Sequence, residues 1–390
     1  MSDSTTTGMR GGAAAWARGA GFAGAAIGVV AAGAAVGVAV ERLTVGRGMR
    51  RKARMALDAT GPYGTLRGTP GTAVAEDGTE LYYEVDEIDE AGAAPRGRLF
   101  GRRRPAPVTV VFSHGYCLSQ DSWHFQRAAL RGAVRMVFWD QRSHGRSQRG
   151  RSSEPVSIDQ LGRDLKAVVD AAAPEGPLVL VGHSMGGMTT MAFAAQFPEL
   201  IARRVVGAAF VGTSAGGLAQ HTYGLPAAGM TVARRVVLPA AFKMMASRPE
   251  LMERGRRATS DLFGGVLKRY SFGAKDVDPA VVRFAERLIE ATPVDVVAEF
   301  YPVFDAHEKT TALSAFAHCP VVVVAGGKDL MIPSTHSEAI AAALPHARLA
   351  LLPDAGHLVM MECPETVSGE LVSLLTEQVA APVARGARVR

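Results

Sequence analysis

The sequence predicts an α/β fold, a mostly parallel central sheet with helices on both faces. Three observations carry it. Short apolar runs that read as strands alternate with helical stretches along most of the chain. One run, Leu178–Val181, passes through Gly-His-Ser-Met-Gly straight into a run of helix formers that Pro198 ends. The alternation breaks once, from Gly216 to about Ala317, where the chain is helical in character without a convincing strand, and then resumes. With 390 residues and 48% hydrophobic content, the chain has ample material for a buried core.

The N-terminus stands apart. Residues 1–18 are small, polar and Gly/Ala-rich, and are expected to be disordered. Gly19 to Val40 is a run of 22 residues without a charge. As a helix it would span about 33 Å, enough for a hydrocarbon core of about 30 Å. It is read as one transmembrane helix, with a cleaved secretory signal and an Ala-rich leader as alternatives. Residues 41–70 form a basic juxtamembrane linker. Residues 1–54 hold eight Lys/Arg against two acids, so the whole net charge of +6 resides there and the rest of the chain is neutral. Six of those basic residues come after the apolar run. The positive-inside rule then places the C-terminal side in the cytoplasm, with secretion as the alternative. A neutral body excludes a nucleic-acid-binding surface.

Residues 71–390 are expected to form one α/β domain. Thr72–Glu76 and Glu80–Asp86 read as a hairpin across Asp77-Gly78. Glu90–Pro107 reads as an Arg-rich loop. A strand at Val108–Phe112 precedes Ser-His-Gly-Tyr, and a helix runs from about Ser122 to Arg131. The strand Arg135–Trp139 ends in Asp-Gln-Arg-Ser-His-Gly-Arg-Ser. Ile158–Ala173 is amphipathic, with Ile158, Leu161, Leu165, Val168 and Val169 on one face. Val205–Val211 is the next strand. The helical stretch at about 216–317 reads as an inserted lid. Strand Val321–Ala325, helix Ser334–Leu344, strand Leu349–Leu352 and a helix from Pro364 to Val379 complete the pattern.

Chemistry centres on Ser184. Strand, Gly-x-Ser-x-Gly and helix together form a sharp turn that presents the serine hydroxyl at the head of the sheet. Met185 begins the helix, so its N–H points where negative charge can be stabilised. The motif alone is weak, because Gly212-Thr-Ser214-Ala-Gly216 repeats it after another apolar run. Beyond Ser214 the chain carries Gly216, Gly217, Gly224 and Pro226, a poor helix start. Context selects Ser184. A serine needs a base, and the base needs an acid to fix its tautomer. In a parallel sheet these come from loops at the carboxyl ends of strands. Asp329 lies past strand 321–325 in a Gly-rich loop, and His357 lies past the last strand.

The chain resembles the α/β-hydrolase superfamily over about residues 71–380. The motifs are Ser-His-Gly-Tyr at 113–116, Asp-Gln-Arg-Ser-His-Gly-Arg-Ser at 140–147, Gly-His-Ser-Met-Gly-Gly at 182–187, Gly-Gly-Lys-Asp at 326–329 and Ala-Gly-His at 355–357. The resemblance implies a Ser184, Asp329, His357 triad in that chain order. It also implies the Tyr116 backbone N–H as the partner of the Met185 N–H in the oxyanion hole. One departure is Ser143, where relatives usually carry Gly. His114 is implied to be structural, and His183 to point away from the nucleophile. His144 falls in a turn, His336 and His346 read as surface residues, and Asp354 as a cap or solvated residue.

The expected activity is hydrolysis of a carboxylic ester through an acyl-serine. The expected partner is a small-molecule ester or acyl substrate, a lipidic ester being attractive beside a membrane anchor. Prolyl-type aminopeptidases share the triad and the Trp-Asp-Gln-Arg run at 139–142; they would use lid carboxylates such as Glu286, Glu290 and Glu299. Cofactor-free haloperoxidases, perhydrolases and carbon–carbon bond hydrolases share the triad too, and a non-catalytic membrane scaffold is the remaining alternative. Serine at 184 argues against epoxide hydrolases and haloalkane dehalogenases, whose relatives carry Asp there. No cofactor or metal is expected: the ten histidines lack a His-Glu-x-x-His pattern, and Cys117, Cys319 and Cys363 form no ligand spacing.

Overall fold

A computed structural model of the chain describes residues 62–89, 106–220, 238–248, 250–254 and 267–380. Eight strands form one sheet: β1 (Thr69–Val74), β2 (Glu80–Asp86), β3 (Thr109–Ser113), β4 (Arg135–Trp139), β5 (Leu178–His183), β6 (Val205–Val211), β7 (Val321–Gly326) and β8 (Arg348–Leu352). Their order is β1-β2-β4-β3-β5-β6-β7-β8. Only β2 runs against its neighbours; β3 to β8 pair in parallel. The hairpin turns at Gly78 (φ +80°), where the Thr79 N–H meets Asp77 Oδ1. β1 begins at Thr69, inside the stretch expected as linker.

Helices α1 (His124–Leu130), α2 (Ile158–Ala172), α3 (Met185–Gln196) and α4 (Pro198–Arg204) accompany the first six strands. The expected helix at 122–131 is shorter: Gln120–Trp123 winds as a tighter 3₁₀ turn, with Ser119 Oγ accepting from the Asp121 N–H. Pro198 does end α3, but it also starts α4, where its fixed φ and missing N–H suit a first helical position. Between β6 and β7 lie α5 (Leu238–Ser247), α6 (Pro279–Ala291), α7 (Val294–Phe300) and α8 (Pro302–Asp305), with no strand among the described residues. Helices α9 (Ser334–Ala343), α10 (Val359–Glu362) and α11 (Pro364–Ala380) close the chain.

Strand residues alternate between two buried layers. Val111, Val137, Leu180, Phe210 and Val323 pack with α2, α3 and α9; Phe112, Phe138, Val181, Val211 and Val324 pack with α1, α10 and α11. All the β3 and β5 residues are buried, which explains their uninterrupted apolar reading. A third cluster joins Met185, Met188 and Leu161 to Val296, Phe300 and Val303 of the inserted helices.

Buried ion pairs fix the ends. Arg142 forks onto Asp164 of α2 (2.6 Å for each bond) and reaches Asp77 of the hairpin (2.8 Å). Ser143 sits next to it at φ +65°, a left-handed conformation that accounts for glycine at this point in relatives.

The expected transmembrane helix at 19–40, the disordered 1–18 and most of the 41–70 linker lie outside the described residues. Among the described residues, no helix is long and apolar enough to cross a membrane.

Candidate active site

Three loops at the carboxyl ends of β5, β7 and β8 bring Ser184, Asp329 and His357 together. Ser184 stands at φ +52°, ψ −118°, a backbone conformation L-residues rarely adopt. Tertiary contacts hold it there. Its N–H donates to the Val211 carbonyl of β6 (2.9 Å), and its own carbonyl accepts from Thr213 Oγ1 (2.7 Å) and from the Gly187 N–H (3.0 Å). Glycine is required on both sides. A Cβ on Gly182 would meet the Gly186 backbone, and a Cβ on Gly186 would overlap the Ser113 carbonyl.

His357 Nε2 lies 3.1 Å from Ser184 Oγ, and His357 Nδ1 lies 2.8 Å from Asp329 Oδ2. The carboxylate accepts at Nδ1, so the proton sits there and the Nε2 lone pair faces the serine hydroxyl. Asp329 Oδ1 is fixed by the N–H groups of Met331 and Ile332, each at 2.8 Å. All three side chains are buried. The two loops interlock, with the Lys328 N–H on the Ala355 carbonyl at 2.9 Å.

The two expected oxyanion donors come from different segments. Met185 is the first residue of α3, so its N–H precedes the helical ladder. Tyr116 comes directly after Gly115, whose Cα lies against Ser184 and His183 with no room for a side chain. Cys117 takes φ +58° in the turn closed by the Leu118 N–H on the Gly115 carbonyl (3.2 Å). The Tyr116 hydroxyl donates to the Val297 carbonyl of α7, and its ring packs on Phe304.

The rival residues fall elsewhere. His114 is buried, with Nε2 accepting from the Gln141 N–H (2.9 Å) and Nδ1 facing the Gly115 carbonyl (2.7 Å). Burial, with His144 nearby, pushes its pKa down to about 3. His144 is buried against Phe300 and pushed down to about 4 by that burial. His346 is exposed, and Asp354 pairs with Lys328 at 2.7 Å. Ser214 is occupied: its hydroxyl meets the Gly216 carbonyl (2.7 Å) and lies 2.9 Å from His336 Nδ1. His336, expected at the surface, is therefore half-buried in this contact. Glu286 and Glu290, the lid carboxylates an aminopeptidase would use, both lie 3.3 Å from Arg283. Glu299 lies beside Arg149, which also reaches Asp295.

Two features escape the sequence. Glu362 of α10 accepts from the N–H groups of Gly356 (2.7 Å), Ala274 (2.6 Å) and Gly273 (3.0 Å), holding the loop that carries His357. Its one signal is its position a short helix after His357, on an element the sequence does not reveal. The other is a bond from His183 Nε2, which donates to the His357 carbonyl at 3.0 Å; that the ring points away from the serine is already implied by the resemblance. Among the described residues, no cluster of His, Cys, Asp and Glu could hold a metal ion.

Residues 108–364 match the family model of the alpha/beta hydrolase fold. A dihydrolipoyllysine-residue acetyltransferase component of an acetoin cleaving system from Pseudomonas putida is 26% identical over 339 residues, covering 82% of each chain. A non-heme haloperoxidase from Rhodococcus erythropolis is 26% identical over 307 residues, covering 77% of this chain and 97% of that one. Among solved structures, a thermophilic esterase from Thermogutta terrifontis shares the fold with a TM-score of 0.58 at 22% identity, over 79% of this chain and 98% of the esterase.

Proposed function

This chain is a member of the α/β-hydrolase family, and on that premise we propose that it is a serine hydrolase cleaving a carboxylic ester through an acyl-Ser184 intermediate. One observation carries the reading: His357 stands within hydrogen-bond reach of Ser184 on one side and Asp329 on the other. Ser184 Oγ attacks the ester carbonyl while His357 Nε2 takes its proton. Asp329 stabilises the imidazolium that results. The tetrahedral oxyanion faces the N–H groups of Tyr116 and Met185, where the α3 N-terminus adds its dipole. His357 then protonates the departing alkoxide, and a water molecule, activated by the same imidazole, releases the acid and restores the serine.

The helices between β6 and β7 act as the lid in this proposal. Their Phe300 and Val303 meet Met185 and Met188, with Tyr116 and Phe304 at the margin, so the wall beside the nucleophile is apolar. That favours an apolar, lipid-like acyl chain. Residues 19–40 would hold the domain at the membrane with its C-terminal side in the cytoplasm; a reporter fused to the C-terminus that is active only outside the cytoplasm would overturn that placement. The similarity to a haloperoxidase supports a second reading on the same residues, in which hydrogen peroxide replaces water in releasing the acyl group. An aminopeptidase reading is weakened because Glu286 and Glu290 already face Arg283.

Fluorophosphonate labelling of the wild type, Ser184→Ala and Ser214→Ala tests the assignment. Labelling should vanish only in Ser184→Ala. Labelling that survives there and disappears in Ser214→Ala would overturn it. A p-nitrophenyl ester chain-length series against a Pro-amide, with and without peroxide, then separates the three activities.

A further inference from the structure

We infer that Gln141 and Thr189 form a hydrogen-bonded bridge that sets the spacing of the two oxyanion-hole donors, Tyr116 and Met185, and are thus positioning residues for the ester hydrolysis proposed above, on which this inference rests. The donors belong to separate segments, the turn after β3 and the start of α3. Where the segments touch, Gly186 lies against the Ser113 and His114 carbonyls with no room for a Cβ. That contact is bare backbone and has no directional preference of its own. Gln141, in the loop after β4, supplies the direction.

Its main-chain N–H donates to His114 Nε2 at 2.9 Å, and its side-chain Nε2 donates to the His114 carbonyl at 2.6 Å. Gln141 therefore grips both the ring and the backbone of the residue two before Tyr116. At the other end, Gln141 Oε1 lies 2.7 Å from Thr189 Oγ1, one turn along α3 from Met185. The same hydroxyl lies 2.9 Å from the Met185 carbonyl, so its single proton serves two acceptors. The amide and the hydroxyl are fully buried, and buried polar groups held in a low-dielectric interior resist displacement. The chain Tyr116 loop, His114, Gln141, Thr189, Met185 is unbroken. A shift of a few tenths of an ångström in either donor weakens its bond to the acyl carbonyl oxygen, and most of all in the transition state, where that oxygen carries the negative charge.

The test uses the full-length protein with Gln141→Ala, the near-isosteric Thr189→Val and Thr189→Ser. Steady-state hydrolysis of a p-nitrophenyl ester is measured, with the infrared carbonyl stretch of the acyl-enzyme formed from its ¹³C-carbonyl form. The expected result is kcat lowered about ten- to hundred-fold in Gln141→Ala and Thr189→Val with KM within about two-fold. The acyl carbonyl stretch should rise in frequency in both as its N–H partners retreat, and Thr189→Ser should restore both readouts. A kcat and a stretch unchanged in Thr189→Val and Gln141→Ala, even with a lowered melting temperature, overturn the bridge. Should Gln141→Ala fail to fold, Thr189→Val and Thr189→Ser decide it. A wild type that forms no acyl-Ser184 overturns the hydrolase reading and the bridge with it; normal acylation with unaltered variants overturns the bridge alone.

Discussion

The ring of His183 donates through Nε2 to the backbone carbonyl of His357, 3.0 Å away and 174 positions along the chain. The residue beside the proposed nucleophile thus grips the main chain of the proposed base. Burial, and after it the neighbouring His357, holds the His183 pKa well below 6.5, so the ring stays neutral and keeps one N–H for this bond. His183→Phe fills the same space without a donor. It should leave the carbonyl unpaired, cost about 1–3 kcal/mol of stability, and lower kcat by roughly tenfold through a misplaced base. Urea unfolding and steady-state kinetics check both; a variant with wild-type kcat would show that His357 needs no such support.

Glu362 predicts a related effect from the opposite side. Its carboxylate offers acceptors only and faces three main-chain donors, from Gly273, Ala274 and Gly356. Glu362→Gln turns one acceptor into an NH₂ group aimed at N–H groups. A loss of about 2 kcal/mol and a several-fold fall in kcat are expected. Retained kcat with lowered stability would confine Glu362 to holding the fold.

Much of this architecture is legible in the residues themselves. Every strand from Val108 onward and the α2, α9 and α11 helices are readable from apolar runs and amphipathic spacing, because both faces of the inner strands are buried and leave a strong pattern, while the edge strand β8 keeps its leucines although two of them are exposed. Ser184, Asp329 and His357 are readable because each comes after a strand and the elbow needs its glycines. The supports are not. Glu362, His183 and the Gln141 amide act on main-chain groups of distant loops, and a bond to a carbonyl or an N–H leaves no requirement on the residue that supplies it. The contact of half-buried His336 with Ser214 is hidden for the same reason: it depends on which segments meet.

Buried histidines set the pH dependence of stability. Burial pushes His114 to about 3 and His144 and His307 to about 4, and His183 lies well below 6.5. In the unfolded chain each titrates near 6.5. Between the folded values and about 6.5 the unfolded state binds more protons, so stability is full above that range and falls as pH drops through it. Asp140 and Asp164, each raised by burial to about 6, work in the opposite sense and offset part of the histidine effect. Four histidines outweigh two carboxyls. Unfolding free energy should therefore decline from about pH 6.5 toward 4, by about 1.4 kcal/mol per pH unit for each histidine left unbalanced. Urea midpoints at three pH values measure this. A flat or rising midpoint on acidification would contradict it.

Tyr116 ties the proposed oxyanion loop to helix α7 through its hydroxyl bond to the Val297 carbonyl. Tyr116→Phe keeps the ring on Phe304 and removes that bond together with the hydroxyl's contact to the Cys117 thiol. The lost hydrogen bond costs about 1 kcal/mol. Amide exchange in α7 should accelerate, while kcat/KM falls a few-fold through a looser lid edge. Hydrogen exchange read by mass spectrometry over residues 294–304 decides it; unchanged protection there would mean that α7 is held by its apolar contacts alone.

Two glycines bearing the same substitution should move stability in opposite directions. Gly186, in the first turn of α3, has the Ser113 and His114 carbonyls where a Cβ would go. These are backbone atoms of a buried strand end, which cannot swing aside as a side-chain tip can. Gly186→Ala must separate α3 from β3, breaking the close approach that orients Ser184. It should cost about 3 kcal/mol or more, with little activity left in whatever folds. Gly369 lies on the exposed face of α11, with nothing within 4 Å of the position its Cβ would occupy. Alanine there narrows the unfolded ensemble and suits the helix, so Gly369→Ala should add about 0.5–1 kcal/mol. Thermal melts of the two variants beside the wild type test the pair. A stable, active Gly186→Ala would mean that the strand–helix contact at the elbow is looser than its geometry implies, and with it the control over where the Ser184 hydroxyl points.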